Sequence, residues 1–327
     1  MINLLECPAC TSSELAILGE LLIRQNIPPQ NIQQAGTNAL LSCALQTSTS
    51  LVKTLCCQTC SHVFLSPTFT DDELNRLYSE QCVKETKLQY RTSEKESGKS
   101  WAEQNKLPRE DYRLRLSRNN SYRSRRLWDI IHAVNPSISI SRILDYGAQT
   151  GELTQSFVNA KRFAYDKSIG FLKDENIEAL STHADIVQLA PYDLIVLSHV
   201  LEHVPGPLEL LRFLREQLSD NGILYIEVPL EYCRSALKKE AITLGPHINF
   251  FSRKSLYACI EKNAFFGIAY MHREIAPYGE LQMPVIKVLA AKHHTEAKYR
   301  RPNFTLDILV DSLLLLLSRK VRFCFGN

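Results

Sequence analysis

Apolar residues in the second half of the chain alternate between strand-like runs and helical stripes. One stripe, formed by Leu127, Ile130, Ile131 and Val134, predicts a helix that Pro136 ends. A second stripe, with leucines at 210, 211, 214 and 218, predicts a helix over 207–218. Short apolar runs predict strands near 142–146, 162–166, 176–180, 192–198 and 222–228. This alternation predicts an α/β fold with a mostly parallel sheet.

The pattern changes beyond Ser252, where a helix is expected to run to about Asn263. Two apolar runs follow, Phe266–Arg273 and Met283–Ala291, and Pro277-Tyr-Gly279 lies between them. They predict an antiparallel hairpin at the sheet edge. The whole domain is therefore expected over 121–292.

The last segment, 293–327, predicts an amphipathic tail helix. Its apolar stripe consists of Leu306, Leu309, Val310, Leu313 and Leu317. Docking on the body of the protein is the favoured role. Peripheral contact with a membrane through Arg319, Lys320 and Arg322 is the alternative.

The N-terminal part carries two knuckles, Cys7-Pro-Ala-Cys10 and Cys57-Gln-Thr-Cys60. Four thiolates presented from two tight turns suit tetrahedral Zn²⁺, so residues 1–80 predict a zinc-ribbon domain with an insert. Buried free cysteines are the alternative, and Cys56 is an alternative ligand to Cys57. Residues 81–120 are rich in Lys and Arg and predict a basic linker or mobile segment.

Composition narrows the class of protein. A chain of 327 residues with 45% hydrophobic residues has room for one full domain and one small one. A net charge of +3 argues against a protein that wraps nucleic acid, and no apolar run has the length of a membrane span. Glu6 and Cys7 interrupt any signal-peptide pattern, so we expect a cytoplasmic protein whose ten cysteines include metal ligands.

A nucleoside pocket is predicted where Ile143-Leu-Asp-Tyr-Gly-Ala-Gln-Thr-Gly151 gives a strand, a glycine turn and a helix opening at Gly151. Asp166 follows 21 residues after Asp145 and has the position of a ribose ligand. Gln149 replaces the middle glycine of a phosphate cradle. Because Asp145 also repels phosphate and attracts an ammonium group, the pattern favours a nucleoside ligand without a pyrophosphate.

Three later segments carry a resemblance to a known family. They are Tyr192-Asp-Leu-Ile-Val-Leu-Ser-His-Val-Leu-Glu-His-Val204, Asn221-Gly-Ile-Leu-Tyr-Ile-Glu-Val-Pro229 and Pro246-His-Ile-Asn-Phe-Phe-Ser252. Together they resemble the class I S-adenosylmethionine-dependent methyltransferases with a Rossmann-like sheet. With the zinc ribbon, the chain is most similar to the sugar C-methyltransferase branch, over roughly residues 1–80 and 120–292.

The resemblance implies two groups of site residues. The cofactor S-adenosylmethionine is expected to contact Asp145, Gly147, Gln149, Gly151, Asp166, Ser198 and His199. His203 and His247 are expected beside the substrate, where histidine suits proton removal near neutral pH.

Three functions stay open on the sequence alone. Methyl transfer to a small molecule, such as a nucleotide-linked sugar, is favoured. Gly245 and Pro246 stand where the sugar branch has Tyr and Glu, so the acceptor atom stays open. An RNA methyltransferase would use the ribbon and the basic stretch 84–126 to hold nucleic acid. A non-catalytic binding protein with a degenerate pocket would fit Gln149 and the short connection between Asp166 and Tyr192.

Overall fold

The protein is described here from a computed structural model, which covers the following residues: 3–24, 40–77, 79, 109–167, 172, 174–230, 247–263, 267–278 and 281–292. The predicted tail helix over 293–327 lies outside the described residues. So does most of the predicted linker, up to residue 108.

The larger of the two sheets has seven strands in the order β10-β11-β8-β7-β4-β5-β6. Its strands are β4 (Arg142–Tyr146), β5 (Lys161–Tyr165), β6 (Glu178–Leu180), β7 (Tyr192–Ser198), β8 (Leu218–Pro229), β10 (Gly267–Tyr278) and β11 (Leu281–Ala291). Strands β4 to β8 pair in parallel, whereas β11 pairs antiparallel with β8 and with β10. The predicted α/β fold with an antiparallel edge hairpin is confirmed.

Helices cover both faces of this sheet. They are α2 (Arg109–Val134), α3 (His183–Leu189), α4 (Pro207–Gln217) and α5 (Arg253–Lys262). A further helix, α1 (Asp71–Leu77), packs through Leu74 in an apolar cluster with Val52 and Leu65 of the N-terminal part. Helix α2 buries Leu127, Ile130 and Ile131 against one face. Helices α3, α4 and α5 cover the other face, where Leu211, Leu214 and other stripe leucines are buried.

Local sequence explains where these helices begin. Ser252 and Ser255 form a reciprocal capping box at the start of α5, and Thr182 and Asp185 do the same for α3. Pro207 occupies the first turn of α4, where its missing N–H leaves no hydrogen bond unmade. Each cap supplies partners for backbone N–H groups that a helix cannot satisfy internally.

The smaller sheet joins the N-terminal part to the α/β domain. It has the order β1-β2-β3-β9, with β1 (Leu15–Arg24), β2 (Thr49–Cys57), β3 (Val63–Ser66) and β9 (Asn249–Phe250). Strand β9 comes from the segment between β8 and α5, so the N-terminal sheet is completed by a strand that belongs to the α/β domain. Cys7, Cys57 and Phe64 also share one apolar cluster with residues of the larger sheet.

Three predicted elements differ from the structure. A helix was expected to open at Gly151, but only a single 3₁₀ turn, Glu152–Thr154, forms there. The segment instead packs along α2: the Ser156 N–H donates to the Ser124 hydroxyl at 2.9 Å, and Phe157 joins the apolar cluster of that helix. Because Ser156 and Phe157 contact α2, few residues of the short connection to β5 are left to form an α-helix.

The other two differences concern boundaries. Helix α2 begins at Arg109, inside the stretch predicted as linker. Strand β8 begins at Leu218, ahead of the predicted strand near 222–228, and its first residues are irregular because the pairing with β7 shifts between Leu218 and Ile223.

Candidate functional site

Residues 147–151, which we call the glycine loop, leave the carboxyl end of β4 and turn back onto β5. The N–H groups of Gly147 and Ala148 donate to the Tyr165 carbonyl at 2.7 and 3.2 Å. Gly147 has φ +78°, and a Cβ there would lie 2.4 Å from the Val200 side chain. Only glycine fits both the backbone conformation and this close approach.

Gly151 and Gln149 also adopt positive φ, at +75° and +50°. Gln149, which stands where a glycine was expected, therefore has a strained backbone conformation that a glycine would adopt freely. Its N–H donates to Asp166 Oδ2 at 2.9 Å, which stabilises the turn. Asp166 follows the last residue of β5, so the structure brings both predicted carboxylates to adjacent strand ends.

Asp145 lies at the end of β4 and is 2% exposed. Within the described part of the chain, its Oδ2 is buried without a hydrogen-bond partner. Burial raises the pKa of Asp145 to about 7, and the nearby Asp166 adds to this shift while Arg123 opposes it. A buried carboxylate oxygen without a donor fits a ligand that brings its own positive charge or N–H groups.

Residues 200–204, which we call the histidine turn, follow β7 and lie directly against the glycine loop through Val200 and Gly147. The His203 N–H donates to the Val200 carbonyl at 2.9 Å. The His203 ring meets the His247 ring edge to face, with centroids 4.7 Å apart. We call these two residues the histidine pair.

Glu202 lies beside the histidine pair and is fully buried. Glu202, His203 and His247 each have a ligand-type atom within 4.8 Å of the others. Burial favours the neutral acid, but a hydrogen bond from His199 and the charges of the surrounding histidines outweigh it and lower the pKa of Glu202. The structure thus places an ionised carboxylate next to two imidazoles.

Ser198 and His199 were predicted to line the cofactor, and both belong to a polar network. Arg123 of α2 donates to Ser198 Oγ and to Glu227 Oε1, each at 2.6 Å. His199 donates from Nδ1 to Glu202 Oε1 at 3.1 Å, and its Nε2 lies 3.4 Å from Glu227 Oε1. His199 also has φ +55°, a conformation that the surrounding contacts hold in place.

The charge of His199 follows from this position between two carboxylates. Burial disfavours the imidazolium, but Glu202 and Glu227 outweigh it and raise the pKa of His199 to about 9. His199 is therefore protonated near neutral pH and does not serve as a base there.

The network continues through the sheet. Burial alone would raise the pKa of Glu227, but Arg123 and His199 hold it well below its usual range. Lys287 of β11 is 1% exposed, donates to Glu274 at 2.7 Å and lies 3.6 Å from Glu227 Oε2. Tyr225 donates its hydroxyl to the same Glu227 oxygen at 2.8 Å. Each buried charge thus has an opposite charge as a partner, as burial requires.

The four predicted metal ligands form a second cluster. Their sulfur atoms lie within 4.8 Å of one another, and the Cys7–Cys60 and Cys10–Cys57 pairs are each 3.6 Å apart. Four sulfurs about 2.3 Å from a tetrahedral Zn²⁺ would be about 3.8 Å apart, so the arrangement fits this ion. It does not fit disulfides, whose sulfurs are about 2.05 Å apart.

Both knuckles have the same backbone geometry. In each, the backbone carbonyl of the first cysteine accepts a hydrogen bond from the N–H of the residue four positions later, at 2.8 Å in the first knuckle and 2.9 Å in the second. The residues in this fifth position, Thr11 and Ser61, have φ of +60° and +62°. Cys56 is not in the group of four, since its thiol packs with Val63 in a separate apolar cluster.

The thiols of this cluster polarise one another. A hydrogen bond from Cys60 lowers the pKa of Cys7 to about 6, although burial opposes the shift, whereas burial raises the pKa of Cys10 to about 11. A thiolate next to donating thiols is the starting state from which a cation displaces the remaining protons.

Sequence reasoning missed four charged residues of the polar network, of which Glu202, Glu227 and Lys287 are buried and Arg123 is partly buried. A signal was present, because Glu227 and Lys287 interrupt apolar runs that were predicted as buried strands. A buried charge requires a partner, so such interruptions indicate an ion-pair network. The partners themselves come from distant segments and do not follow from the sequence.

One cavity of about 550 Å³ lies elsewhere in the described part of the chain. Asp193, Gly222 and Ala291 are among its lining residues, which places it at the amino ends of β7 and β8. In open α/β sheets, ligands bind at the carboxyl ends of the strands. The cavity is therefore separate from the glycine loop and the histidine pair.

One comparison with known proteins gives a match to a family model. Residues 111–266 match a family model described as a methyltransferase domain. These residues contain the glycine loop, Asp166, the histidine turn and His247. Over this segment the chain is therefore similar to methyltransferase domains. In the part of the chain that the structure describes, no helix is both long and apolar enough to cross a membrane.

Several solved structures are similar at low identity. The N-terminal domain of EvdMO1, solved in the presence of SAH and D-fucose, is 17% identical, with a TM-score of 0.35, over 53% of this chain and 82% of that one. The CurJ carbon methyltransferase is 18% identical, with a TM-score of 0.37, over 54% of each chain.

A putative O-methyltransferase from Nostoc punctiforme PCC 73102 is 14% identical, with a TM-score of 0.36, over 52% of this chain and 60% of that one. Similarities of this size say nothing about the acceptor. No curated protein matches the chain.

Proposed function

We propose that the protein transfers a methyl group from S-adenosylmethionine to a small-molecule acceptor, such as a nucleotide-linked sugar or another biosynthetic metabolite. The contact between Gly147 and Val200 carries this proposal. It joins the loop that would hold the cofactor to the turn that bears His203. A cofactor on the glycine loop and an acceptor at the histidine pair would therefore be neighbours.

The two carboxylates beside the glycine loop fit the cofactor. The unpartnered Oδ2 of Asp145 is suited to the ammonium group of the methionine portion. Asp166 at the end of β5 is suited to the ribose hydroxyls, as predicted, with its carboxylate already oriented by the Gln149 N–H. S-adenosylmethionine supplies a methyl group already activated on a sulfonium, so the protein's main tasks are alignment and water exclusion.

The histidine pair is suited to remove a proton from the acceptor. We assign His247 as the general base and His203 as the residue that orients the same acceptor group. The ionised Glu202 carboxylate would stabilise the imidazolium that forms on His247, since the ligand-type atoms of the two residues lie within 4.8 Å of each other. His199 is excluded as the base because its raised pKa keeps it protonated.

Two basic residues argue against the RNA alternative. Arg123 and Arg126 lie in the basic stretch 84–126, and they bind Glu227 and Glu274 at 2.6 and 3.1 Å. Their charges are balanced by carboxylates of the protein itself, although the Arg126 side chain is 38% exposed. This supports a small acceptor over a nucleic acid within the described part of that stretch.

We also propose that Cys7, Cys10, Cys57 and Cys60 hold one structural Zn²⁺. Four protein ligands leave no open coordination position, so such an ion stabilises the fold and does not activate water. Its contribution to methyl transfer would be indirect.

The proposal is tested by identifying the acceptor. Protein purified without added ligand is denatured, released small molecules are identified by mass spectrometry, and candidates are then incubated with the protein and methyl-labelled S-adenosylmethionine. A labelled small-molecule product supports the proposal. Label found only in RNA would replace it with the RNA alternative, and cofactor binding without any acceptor would favour the non-catalytic one.

A further inference from the structure

A chain of contacts connects the second cysteine knuckle to the histidine pair, and it begins at His62. The Cys57 N–H donates to the His62 carbonyl at 2.8 Å, so the knuckle turn closes on this residue. The His62 side chain is fully buried, with its ring 4.6 Å from the Phe251 ring. Its Nε2 lies 3.0 Å from Asn249 Oδ1.

Asn249 continues the connection. Its Nδ2 donates to the Val204 carbonyl at 2.7 Å and to the Leu201 carbonyl at 3.3 Å. Two carbonyl acceptors fix which end of the amide is nitrogen, so the oxygen faces His62. Because an amide oxygen only accepts, His62 must donate from Nε2. Asn249 thus bonds both ends of the segment that carries Glu202 and His203.

Backbone hydrogen bonds reinforce the same connection. The N–H groups of Ile248 and Asn249 both donate to the Glu202 carbonyl, at 2.8 and 3.1 Å. The Ile248 carbonyl accepts from the Leu65 N–H of β3 at 2.9 Å. His247 directly precedes this segment, so its place beside His203 depends on how β9 pairs with the knuckle-bearing sheet.

We propose that His62 and Asn249 are positioning residues, which transmit the folded state of the cysteine knuckles to the histidine pair. Folding of the four-cysteine site would orient the His62 ring. The hydrogen bond from His62 would fix the orientation of the Asn249 amide. The amide would in turn hold the histidine turn next to His247. The proposal rests on the proposed function only for the role of the histidine pair in proton removal. The coupling itself is measurable without an acceptor.

The test compares His62→Phe with His62→Gln in the full chain. Phenylalanine keeps the buried ring but cannot donate, whereas glutamine keeps a donor. Imidazole signals of His203 and His247 are followed by NMR across pH and assigned with single His→Gln variants among the nine histidines. His62→Phe is expected to move the titration midpoints of both by about 0.5 pH unit or more. His62→Gln is expected to restore most of the wild-type values.

Zinc content and S-adenosylmethionine affinity are measured on the same samples. Both should stay within about twofold of wild type in His62→Phe, because neither the four cysteines nor Asp145 and Asp166 are altered. Unchanged His203 and His247 signals in His62→Phe would overturn the proposal. If that variant does not fold, Asn249→Ser is measured instead, with the same expected shifts and the same overturning result. Wild-type protein that binds no S-adenosylmethionine would overturn the proposed function and leave the NMR result standing.

Discussion

His203 and His247 come from different segments, and their rings meet edge to face with centroids 4.7 Å apart. One follows β7 in the histidine turn, and the other directly precedes the segment that pairs with the N-terminal sheet. Their proximity places two imidazoles and the buried Glu202 carboxylate beside the glycine loop. If this cluster removes a proton from the acceptor, its members should affect turnover and not cofactor binding.

Replacing His247 with glutamine is expected to lower turnover by about 100-fold, because a positioned base contributes at least this much to proton transfer. The affinity for S-adenosylmethionine should not change, since Asp145 and Asp166 are untouched. Labelled methyl transfer to the identified acceptor measures turnover. The exposed His272→Gln is the control and should behave as wild type. Full turnover in His247→Gln would transfer the role of base to His203.

The buried ion pairs of Lys287 predict a large effect on stability. Lys287→Met should lower the free energy of unfolding by about 3–5 kcal/mol, because Glu227 and Glu274 lose a buried cation. Lys161→Met is the matched control, since its pair with Glu178 is half exposed and should be worth about 1 kcal/mol or less. Chemical denaturation measures both variants. Equal effects of the two substitutions would mean that the Lys287 pairs contribute no more than a surface pair.

Much of this fold follows from local pattern. Apolar runs predicted β4, β5, β7 and the edge hairpin, because buried strands require continuous apolar residues. The stripe at 207–218 predicted α4 because the buried face of a helix repeats every three to four residues. The missing helix after Gly151 could not be predicted, since it depends on packing against α2, which is remote in sequence.

The part of the site formed by residues close in sequence was predictable, and the part formed by distant segments was not. Asp145, Gly147 and Asp166 lie in or directly after two consecutive parallel strands, so their spacing along the chain indicated a common pocket. The pairing of β3 with β9 involves residues nearly two hundred positions apart and has no local signal. The roles of His62 and Asn249, and the position of Arg123 between Ser198 and Glu227, appear only once the chain is folded.

The cysteine cluster predicts one zinc ion per chain. Cys57→Ser should lose the ion, whereas Cys56→Ala should keep it, because only Cys57 belongs to the group of four. Bound zinc should be released as the pH falls, since the ligands must be thiolates. Elemental analysis after dialysis measures both effects. A second ion lost on His247→Gln would instead place a metal at Glu202, His203 and His247, which would exclude His247 as a base.

The raised pKa of Asp145 predicts how cofactor affinity depends on pH. An ammonium group binds the ionised carboxylate, so affinity should rise as the pH passes through about 7. Asp145→Asn should bind more weakly and lose most of this dependence. Calorimetry between about pH 6 and pH 8 measures both proteins. A wild-type affinity independent of pH would mean that Asp145 does not contact the ammonium group.

The same shift has a consequence for stability without cofactor. The folded protein retains the Asp145 proton up to about pH 7, whereas an unfolded aspartate loses it near about pH 3.9. Proton binding therefore stabilises the fold at low pH, and this contribution is lost as the pH rises from about 4 through 7. Asp145→Asn should gain stability relative to wild type above pH 7, which melting curves at two pH values will measure. A variant less stable than wild type at both values would contradict this assignment.

Calorimetry with S-adenosylmethionine tests the central claim most directly. Wild-type protein should bind one equivalent, and Asp166→Ala should weaken binding by roughly 1–3 kcal/mol, the scale of a lost hydrogen bond to a charged group. Asp220→Ala, an exposed carboxylate at the opposite end of the sheet, should bind as wild type. Absence of binding by the wild-type protein, or equal affinity in wild type and Asp166→Ala, would contradict a cofactor site built on the glycine loop and Asp166.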